Sequence, residues 1–524
     1  MSDILLFNPP APDGRGYTRE GRCTQEAGVW GTQWPPLSLA TAAALLRRDG
    51  HRVTLRDYPA AGAVGRALTE DIRRLQPDLA IWSAGTPTLQ HDLGTARLIR
   101  EHAPKTVTAV IGTHVTVLPE EALGEAALDV VIRGEPEGII RDLCRGGIRD
   151  GDTGSHAEPR TTGSGGYGRN GCMFTNIKGI SWRDAEGGAI RHNPDAPPLE
   201  PEAIPPPDWD GLDLDAYRLP LKGRRFLMVA PVRGCPWRCS FCTAPLYYGH
   251  RLRRRPVASV VDEMADNVAR FGIHEFFVWA DTFTADPSYV REFCGAILES
   301  GLRISWTCNS RVDTIDKETL RMMKEAGLWM ISYGLESGND AILAASGKGI
   351  TAAQSRAAVE MAHRMGIRAA GHFIFGLPGE TRATMAETLA FALSLPLDIA
   401  QFYAAAPFPG TSLYDEALRE GWLKNRGTAP LFPERLSPHS HSEAPQNGWL
   451  KTEERTKERG AVSQNRAAME LPGLPSARVD AFRSYAYRRF YLRPQAAARV
   501  LSMAEISAVA GIMPALRRFL KWIK

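Results

Sequence analysis

The sequence predicts an α/β protein in which a doubly wound parallel sheet is followed by a partial barrel of six βα units and a helical C-terminal region. Two observations support this fold class. Short apolar runs of strand length alternate with longer segments of helical periodicity along most of the chain, which is typical of βαβ units. A proline cluster at 197–207 interrupts the alternation and separates it into two blocks.

The composition is that of a globular protein. With 524 residues, the chain is long enough for two or three domains, and its 44% apolar residues can form a core for each. The net charge of +4 is too small to indicate a nucleic-acid partner. The N-terminus does not read as a signal peptide, and there is no apolar stretch of about 18 residues that would span a membrane. We therefore expect a cytoplasmic protein.

The first block is predicted to form a Rossmann-like sheet with a ligand at one edge. Its strands and helices alternate along the chain. The strands are predicted at 3–8, 53–55, 79–83, 107–112 and 129–132, with helices near 38–48, 62–75 and 90–102. Ligands of such sheets lie beyond the carboxyl ends of the strands, where this chain has Asn8, Ser83, Gly112, Thr113 and His114.

The second block is predicted to be an incomplete barrel. Six strands of similar length are each followed by a helical segment. These strands are predicted at 226–230, 275–279, 304–308, 329–334, 369–376 and 399–403. Six βα steps are too few for a closed eight-stranded barrel, and the chemistry of such a fold lies at the carboxyl ends of its strands.

These patterns divide the chain into five regions. The regions are a first domain at 1–196 with a Gly- and Ser-rich insertion at 146–170, a linker at 197–222, the barrel at 223–424, a mobile loop at 425–475 and a helical region at 476–524. The tail of the last region is basic and carries a tryptophan, so a membrane surface is one possible contact for it. Docking of this helical region on the barrel of its own chain is the favoured alternative.

One loop of the second block carries a metal-binding pattern. Cys235, Cys239 and Cys242 form a Cys-x3-Cys-x2-Cys array directly after the first barrel strand. Three thiolates at this spacing can bind three irons of a 4Fe-4S cluster and leave the fourth iron open. Structural zinc normally takes four protein ligands, and a disulfide would leave an odd thiol. The array therefore predicts a 4Fe-4S cluster, whereas Cys294 and Cys308 are interpreted as core residues.

The chain resembles the cobalamin-dependent radical S-adenosylmethionine (SAM) enzymes over approximately residues 1–425. The cysteine loop matches the radical SAM signature, including the aromatic Phe241 before the last cysteine. Four later segments occur in the order found in this family. They are Asp-Thr-Phe-Thr at 281–284, Gly-Leu-Glu-Ser-Gly at 334–338, Gly-Leu-Pro-Gly-Glu-Thr at 376–381 and Pro-Phe-Pro-Gly-Thr at 407–411.

The resemblance implies a SAM site at the barrel mouth, where one electron cleaves SAM to a 5′-deoxyadenosyl radical. It implies that Asp281 accepts a hydrogen bond from the SAM ammonium or from a nearby polar group, and that Glu336 and Ser337 lie near the ribose and methionine portions. Gly376 and Gly379 would let the backbone approach the adenosyl group. The residues expected to flank adenine are Phe241 and Tyr403. The alternative for Asp281, Glu336 and Arg311 is a structural ion pair at the barrel rim.

The resemblance also implies that the first domain binds cobalamin. The residues expected at that cofactor are Ser83, Gly112, Thr113 and His114. The chain departs from the Asp-x-His-x-x-Gly motif in which histidine coordinates cobalt, because Asp49-Gly50-His51 is not followed by that glycine. We therefore expect that the lower ligand is not histidine. His114 would either donate to the cofactor or cap the following turn.

Three functions follow from these observations. The leading hypothesis is methyl transfer from methylcobalamin to an unactivated carbon of a small molecule or lipid, with an external electron donor such as flavodoxin or ferredoxin. The second is radical oxidation or ring formation, similar to the anaerobic magnesium-protoporphyrin monomethyl ester cyclases. The third, a non-catalytic cobalamin-binding or light-sensing module, leaves the three cysteines of the array without a use.

Overall fold

A computed structural model describes residues 1–11, 17–20, 23–26, 32–62, 65–146, 174–184, 188–423 and 462–505. Three predictions fall wholly or largely on residues outside these ranges. They are the insertion at 146–170, of which only Gly146 is described, the mobile loop at 425–475 up to residue 461, and the basic tail beyond residue 505. The division of the chain into the five regions stays a prediction.

The N-terminal part alternates strands and helices as predicted. Its strands are β1 Asp3–Asn8, β2 Tyr17–Glu20, β3 Cys23–Glu26, β4 Arg52–Asp57, β5 Leu79–Ser83, β6 Val107–Ile111, β7 Val130–Ile132, β8 Ile180–Arg183 and β9 Ile190–His192. Its helices are α1 Leu37–Arg48, α2 Gly65–Leu75, α3 Leu89–His102, α4 Thr113–Val117, α5 Pro119–Leu123 and α6 Pro136–Arg145.

These strands confirm the predicted parallel sheet and extend it. In the described residues the order is β4-β1-β5-β6-β7-β8-β9, and the first five strands run parallel. Strands β8 and β9 add an antiparallel edge that the sequence analysis missed, because each is only three or four residues long and mixes polar with apolar residues. The interior strands β5 and β6 are buried throughout, as expected for a sheet covered on both faces.

The second part begins at β10. Its strands are β10 Phe226–Val229, β11 Val232–Arg233, β12 Arg253–Arg254, β13 Glu275–Val278, β14 Ser305–Ser310, β15 Leu328–Glu336, β16 Arg368–Phe375 and β17 Ile399–Ala404. Its helices are α7 Ala244–Tyr248, α8 Val257–Phe271, α9 Pro287–Glu299, α10 Lys317–Glu325, α11 Asp340–Ala345, α12 Ala352–Arg364, α13 Arg382–Ser394, α14 Ser412–Arg419, α15 Ser476–Tyr491 and α16 Pro494–Met503.

Six of these strands form the predicted partial barrel. Among the described residues their order is β10-β13-β14-β15-β16-β17, and every neighbouring pair is parallel. Strands β10 and β17 are the two edges of this sheet, so the barrel remains open between them.

Helix α15 covers the open edge at β17. The Tyr487 hydroxyl oxygen accepts a hydrogen bond from the Phe402 amide at 3.1 Å, and the Tyr491 hydroxyl donates to the Ala400 carbonyl at 2.8 Å. Tyrosine hydroxyls thus satisfy backbone groups that an edge strand would otherwise expose. This helix therefore docks on the barrel of its own chain. In the part of the chain that the structure describes, no helix is both long and apolar enough to cross a membrane.

The carboxyl edges of the two sheets face each other. Val117, at the end of α4, packs so closely on Gly410 in the loop after β17 that a Cβ on this glycine would lie 2.7 Å from the valine side chain. The Trp34 ring of the N-terminal part packs on barrel side chains as well, with its centroid 4.7 Å from that of Phe277 and 5.6 Å from that of Phe226. The two candidate ligand edges therefore border one region.

Candidate active site at the facing sheet edges

The cysteine loop is closed at its base by the short antiparallel pair β11 and β12, in which Arg233 lies opposite Arg253. Gly234 follows with φ +89°, and a Cβ at this position would overlap the Arg251 carbonyl oxygen. Only glycine combines this backbone conformation with this close approach. The Cys235 amide then donates to the Gly249 carbonyl at 3.1 Å, which fixes the entry into the loop.

The loop is also held by two other segments of the barrel. The Ser240 amide donates to the Ser346 carbonyl at 2.9 Å, and the Ser240 carbonyl accepts from the Leu413 amide at 2.9 Å. None of the three cysteines is in a disulfide; Cys235 is buried, whereas Cys239 and Cys242 are partly exposed. The backbone therefore presents three thiols from one rigid loop. Phe241, between the last two, packs partly buried against the core.

No group of three His, Cys, Asp or Glu side chains within the described residues is arranged to hold a single metal ion. A 4Fe-4S cluster makes a different demand, because it binds each thiolate to a different iron. Burial raises the pKa of the Cys239 thiol, and the positive charge of Lys348 opposes that rise. A cationic side chain therefore lies where it favours thiolate over thiol.

Glu336 and Lys348 form a buried ion pair beside this loop. The Lys348 ammonium donates to Glu336 Oε1 at 2.8 Å, and both side chains are less than one-tenth exposed. Glu336 has φ +59° after a register shift at the end of β15, an unusual conformation for a residue with a side chain. Burial lowers the pKa of Lys348, but attraction to Glu336 and Cys239 outweighs it and raises the pKa overall.

Lys348 is a candidate site residue that the sequence analysis missed. It lies one residue after Gly347, where a Cβ would meet the Arg238 carbonyl oxygen of the cysteine loop at 3.0 Å. A lysine 12 residues after a glutamate does not form a recognisable sequence motif. The available signal was that Lys348 is the only basic residue between the Gly-Leu-Glu-Ser-Gly segment and α12.

Arg311 makes a different ion pair at the same rim. Its guanidinium binds both carboxylate oxygens of Asp313 at 2.8 Å and donates to the Lys348 carbonyl at 2.8 Å. It also lies over the Trp237 ring, 4.4 Å from the centroid. Arg311 thus forms a structural ion pair at the barrel rim, which was the alternative to a role in the SAM site. It supports both the cysteine loop and the segment that carries Lys348.

Asp281 and Ser337 are both buried at strand ends. Asp281 follows β13 and precedes Thr282, whose hydroxyl lies 3.7 Å from the Cys235 sulfur. The Ser337 hydroxyl lies 3.0 Å from that of Thr388 and accepts from the Asn339 amide at 3.1 Å. Asp281 is therefore beside the cysteine loop, whereas the Ser337 side chain connects the end of β15 to α13. Their contact with SAM stays a prediction.

The segment after β16 turns on two glycines in the left-handed region. Gly376 has φ +84° and Gly379 has φ +80°. The Glu380 carboxylate folds back on this turn and accepts hydrogen bonds from the Gly376 and Leu377 amides. Burial raises the pKa of Glu380 to about 8, a buried carboxyl that the sequence analysis did not single out. At the end of the next strand, the Tyr403 ring stacks on His372 with a centroid separation of 5.9 Å.

At the carboxyl edge of the first sheet, the backbone at Gly112 comes very close to the backbone at Ala84, and we call this pair of segments the glycine cradle. Gly112 has φ +141°, and a Cβ there would overlap the Ala84 carbonyl oxygen. The Ala84 amide donates to the Ile111 carbonyl at 2.8 Å, so the segments after β5 and β6 lie side by side, and Ser83 is buried at the end of β5. Within the described residues the buried Asn8 Oδ1 has no hydrogen-bond partner. A buried acceptor at this edge fits a polar ligand.

His114 is held on both sides by its own chain. Its Nδ1 lies 3.2 Å from the Thr86 hydroxyl, and its Nε2 lies 3.1 Å from Glu121 Oε2. It therefore connects α4 to the loop after β5 and to α5, and its neighbour Thr113 is buried. The structure therefore places His114 in a hydrogen-bonded support beneath the edge; its contact with cobalamin stays a prediction.

We expect that Gly112→Ala weakens cobalamin binding by about tenfold or more and destabilises the first domain by about 1–3 kcal/mol, because the new methyl group meets backbone at a strained φ. Cobalamin retained after gel filtration and the thermal unfolding midpoint measure the two effects. Gly94→Ala is the matched control, because a Cβ at this helical glycine has open space around it. Equal retention by both variants would contradict the assignment of the cradle.

Comparison with known proteins agrees with this arrangement. The family models for the radical SAM superfamily and for the B12 binding domain match residues 229–392 and 27–143. An uncharacterized methyltransferase of Pyrococcus horikoshii is 34% identical over 75% of this chain and 81% of its own length. The anaerobic magnesium-protoporphyrin IX monomethyl ester cyclase of Cereibacter sphaeroides is 29% identical over 73% of this chain and 60% of its own length.

A solved structure shares the fold. The radical SAM methyltransferase TsrM from Kitasatospora setae, with cobalamin and a 4Fe-4S cluster bound, has a TM-score of 0.64 over 97% of this chain and 92% of its own, at 18% identity. The parallel sheet with its glycine cradle and the barrel with its cysteine loop correspond to the two matched family models, so the chain is a radical SAM enzyme with two cofactor-binding domains. The chain belongs to the radical SAM superfamily, in the family whose members also carry a B12-binding domain.

The cofactors of the chain are therefore a 4Fe-4S cluster, SAM and cobalamin. The residues present fit these groups. The cysteine loop offers three thiols outside any disulfide, and the barrel rim offers a buried ammonium and a buried carboxylate. The first sheet offers a glycine cradle and an unsatisfied buried acceptor.

Proposed function

We propose that this enzyme transfers a methyl group to an unactivated carbon of a small molecule or lipid. The observation that supports this most is the contact of Val117 in the first domain with Gly410 at the barrel mouth. This contact makes the edge of the cobalamin sheet and the ends of the barrel strands border one region. A substrate between them would be within reach of both cofactors.

When bound, the cofactors supply an electron, a hydrogen-abstracting radical and a methyl group. We propose that Cys235, Cys239 and Cys242 hold three irons of the cluster and leave the fourth for SAM. The ammonium of Lys348 and the carboxylate of Glu336 offer charges of both signs, which suit the carboxylate and ammonium of the methionine part of SAM. Arg311, stacked on Trp237, keeps these groups in place.

The other site residues position the cofactors in this proposal. Asp281 accepts from a polar group of SAM, and Ser337 supports the strand end near the ribose. The glycines of the turn after β16 admit the adenosyl group, and two aromatic rings flank adenine. These residues are Gly376, Gly379, Phe241 and Tyr403. At the facing edge, Ser83, Gly112, Thr113 and His114 shape the cobalamin pocket.

The proposed partners follow from the electron that the cluster needs. A low-potential carrier such as a flavodoxin or ferredoxin supplies it, which places the enzyme in the cytoplasm. The exposed Arg238, inside the cysteine loop, offers a positive charge to an acidic carrier. In this proposal the C-terminal helical region is the one segment offered for contact with a membrane, and its basic tail beyond residue 505 lies outside the described residues.

Ring formation is the second candidate, because a cyclase is 29% identical to this chain. SAM with a deuterated methyl group, a reductant and candidate substrates separates the two. We expect a product that is heavier by one labelled methyl group. A product that has lost hydrogens or gained oxygen, and contains no label, would contradict methyl transfer and support the cyclase-like reaction.

A further inference from the structure

Four buried charges join the two domains directly beneath the cysteine loop. Arg233 Nη1 donates to Glu135 Oε1 at 2.5 Å, and Arg233 Nη2 donates to Glu137 Oε1 at 2.8 Å. Arg253 Nη2 pairs with the other oxygen of Glu135. Each of these four side chains is at most 4% exposed. Two positive and two negative charges therefore balance in a place where water cannot screen them.

The two arginines occupy a special position in the chain. They lie opposite each other in the β11 and β12 pair, and the cysteine array lies entirely between them. Arg233 is also two residues before Cys235, and only Gly234 separates the two. Glu135 binds both arginines, so one carboxylate of the first domain holds both ends of the loop.

Glu135 is equally well placed in the first domain. It follows β7 at the carboxyl edge of the sheet, where the preceding Gly134 amide donates to the Thr116 hydroxyl at 3.0 Å. The same hydroxyl donates to the Gly112 carbonyl at 2.8 Å. Hydrogen bonds therefore run from the glycine cradle to the segment that carries Glu135.

The linker contributes to the same cluster. Arg253 Nη1 donates to the Leu199 carbonyl at 2.8 Å, and the Arg233 guanidinium lies over the Tyr248 ring at 5.2 Å from the centroid. These contacts leave the arginines little freedom to take other rotamers. Movement of the loop base relative to the first sheet would break charge-assisted hydrogen bonds that have no water to replace them.

We propose that Glu135 is a positioning residue that fixes the cysteine loop, and with it the iron–sulfur cluster, at a set distance from the cobalamin edge. The inference rests on the two-cofactor assignment but not on methyl transfer. The alternative role of Glu135 is a general contribution to stability. Glu263 represents that role, because it pairs with Arg255 at 2.6 Å and is equally buried, but both partners belong to the barrel.

The test compares Glu135→Gln with Glu263→Gln in the full-length protein loaded with cluster and cob(II)alamin. The microwave power needed to saturate the cob(II)alamin EPR signal is measured with the cluster oxidised and then reduced. In the wild type we expect the paramagnetic reduced cluster to raise that power. In Glu135→Gln we expect the cluster-dependent increase in saturating power to be smaller by about twofold or more, because loss of the support should displace the cluster by about 1 Å. In Glu263→Gln the increase should equal that of the wild type.

An unchanged increase in Glu135→Gln, or an equal loss in Glu263→Gln, would overturn the proposal. If Glu135→Gln fails to retain both cofactors, Arg253→Lys takes its place, because it keeps the charge but loses the guanidinium contacts. An increase in saturating power equal to that of the wild type in this variant would overturn the proposal as well. A wild type that loads the cluster but no cobalamin would instead contradict the proposed function, and the inference with it.

Discussion

The Cys239→Ala protein is expected to lose its 4Fe-4S absorbance and to form 5′-deoxyadenosine at least about a thousandfold more slowly than the wild type, the scale seen when an essential catalytic group is removed. The reason is that Cys239 lies in a loop that presents three thiols, and two thiolates do not hold a cluster with a single open iron. Iron and sulfide content and 5′-deoxyadenosine after anaerobic reconstitution are the measurements.

The control for this prediction is Cys294→Ala. Cys294 is a fully buried free thiol in α9, outside the cysteine loop, and burial raises its pKa to about 12, as expected for an inert core residue. This variant should keep full cluster content and wild-type SAM cleavage, with a loss of stability of about 1 kcal/mol. Full SAM cleavage by Cys239→Ala, or loss of the cluster in Cys294→Ala, would contradict the assignment.

Lys348→Met is expected to have the second-largest effect. It leaves the buried Glu336 carboxylate without its counter-ion, which should destabilise the apoprotein by about 3–5 kcal/mol. It should also weaken SAM binding by about tenfold or more, because a charge-assisted hydrogen bond to the methionine part is lost. Urea unfolding of the apoprotein and equilibrium binding of SAM to the reconstituted protein measure the two effects.

The double variant Lys348→Met/Glu336→Gln separates these contributions. It removes both charges, so most of the lost stability should return, whereas SAM affinity should remain low. If the double variant binds SAM as the wild type does, the ion pair is only structural, as the sequence analysis allowed for Glu336. If the single variant is as stable as the wild type, the pair does not have the buried character described here.

The fold was largely predictable because hydrophobic periodicity recurs in long elements. The six barrel strands and five strands of the first sheet each lie within a residue or two of their predicted positions. Several of the elements that escaped prediction are too short to show a period, such as α4 with five residues and β9 with three. Helix α6, with ten residues, was missed as well, although its buried Ile139, Ile140 and Leu143 recur at helical spacing. The antiparallel edge also depends on pairing β8 with β7 across an intervening stretch of more than 40 residues, which local pattern does not encode.

The candidate site was predictable where its residues form a local motif. The cysteine array, Glu336 and Gly112 belong to such segments. The choice of ion-pair partner was not predictable, because pairing depends on how the strand ends pack. A structural pair among Asp281, Glu336 and Arg311 was the expectation, whereas Glu336 pairs with Lys348 and Arg311 pairs with Asp313. Likewise, the contact of Glu135 with Arg233 joins residues 98 positions apart, and only the docking of the two domains reveals it.

The central claim is that the cysteine loop carries a 4Fe-4S cluster with one iron open to SAM. It is tested most directly by the EPR spectrum of the reduced, reconstituted full-length protein, recorded before and after SAM is added. The account predicts one 4Fe-4S cluster per chain and a change in its signal on addition of SAM, accompanied by formation of 5′-deoxyadenosine. A fully loaded cluster whose spectrum is unaffected by SAM, with no 5′-deoxyadenosine formed, would contradict it.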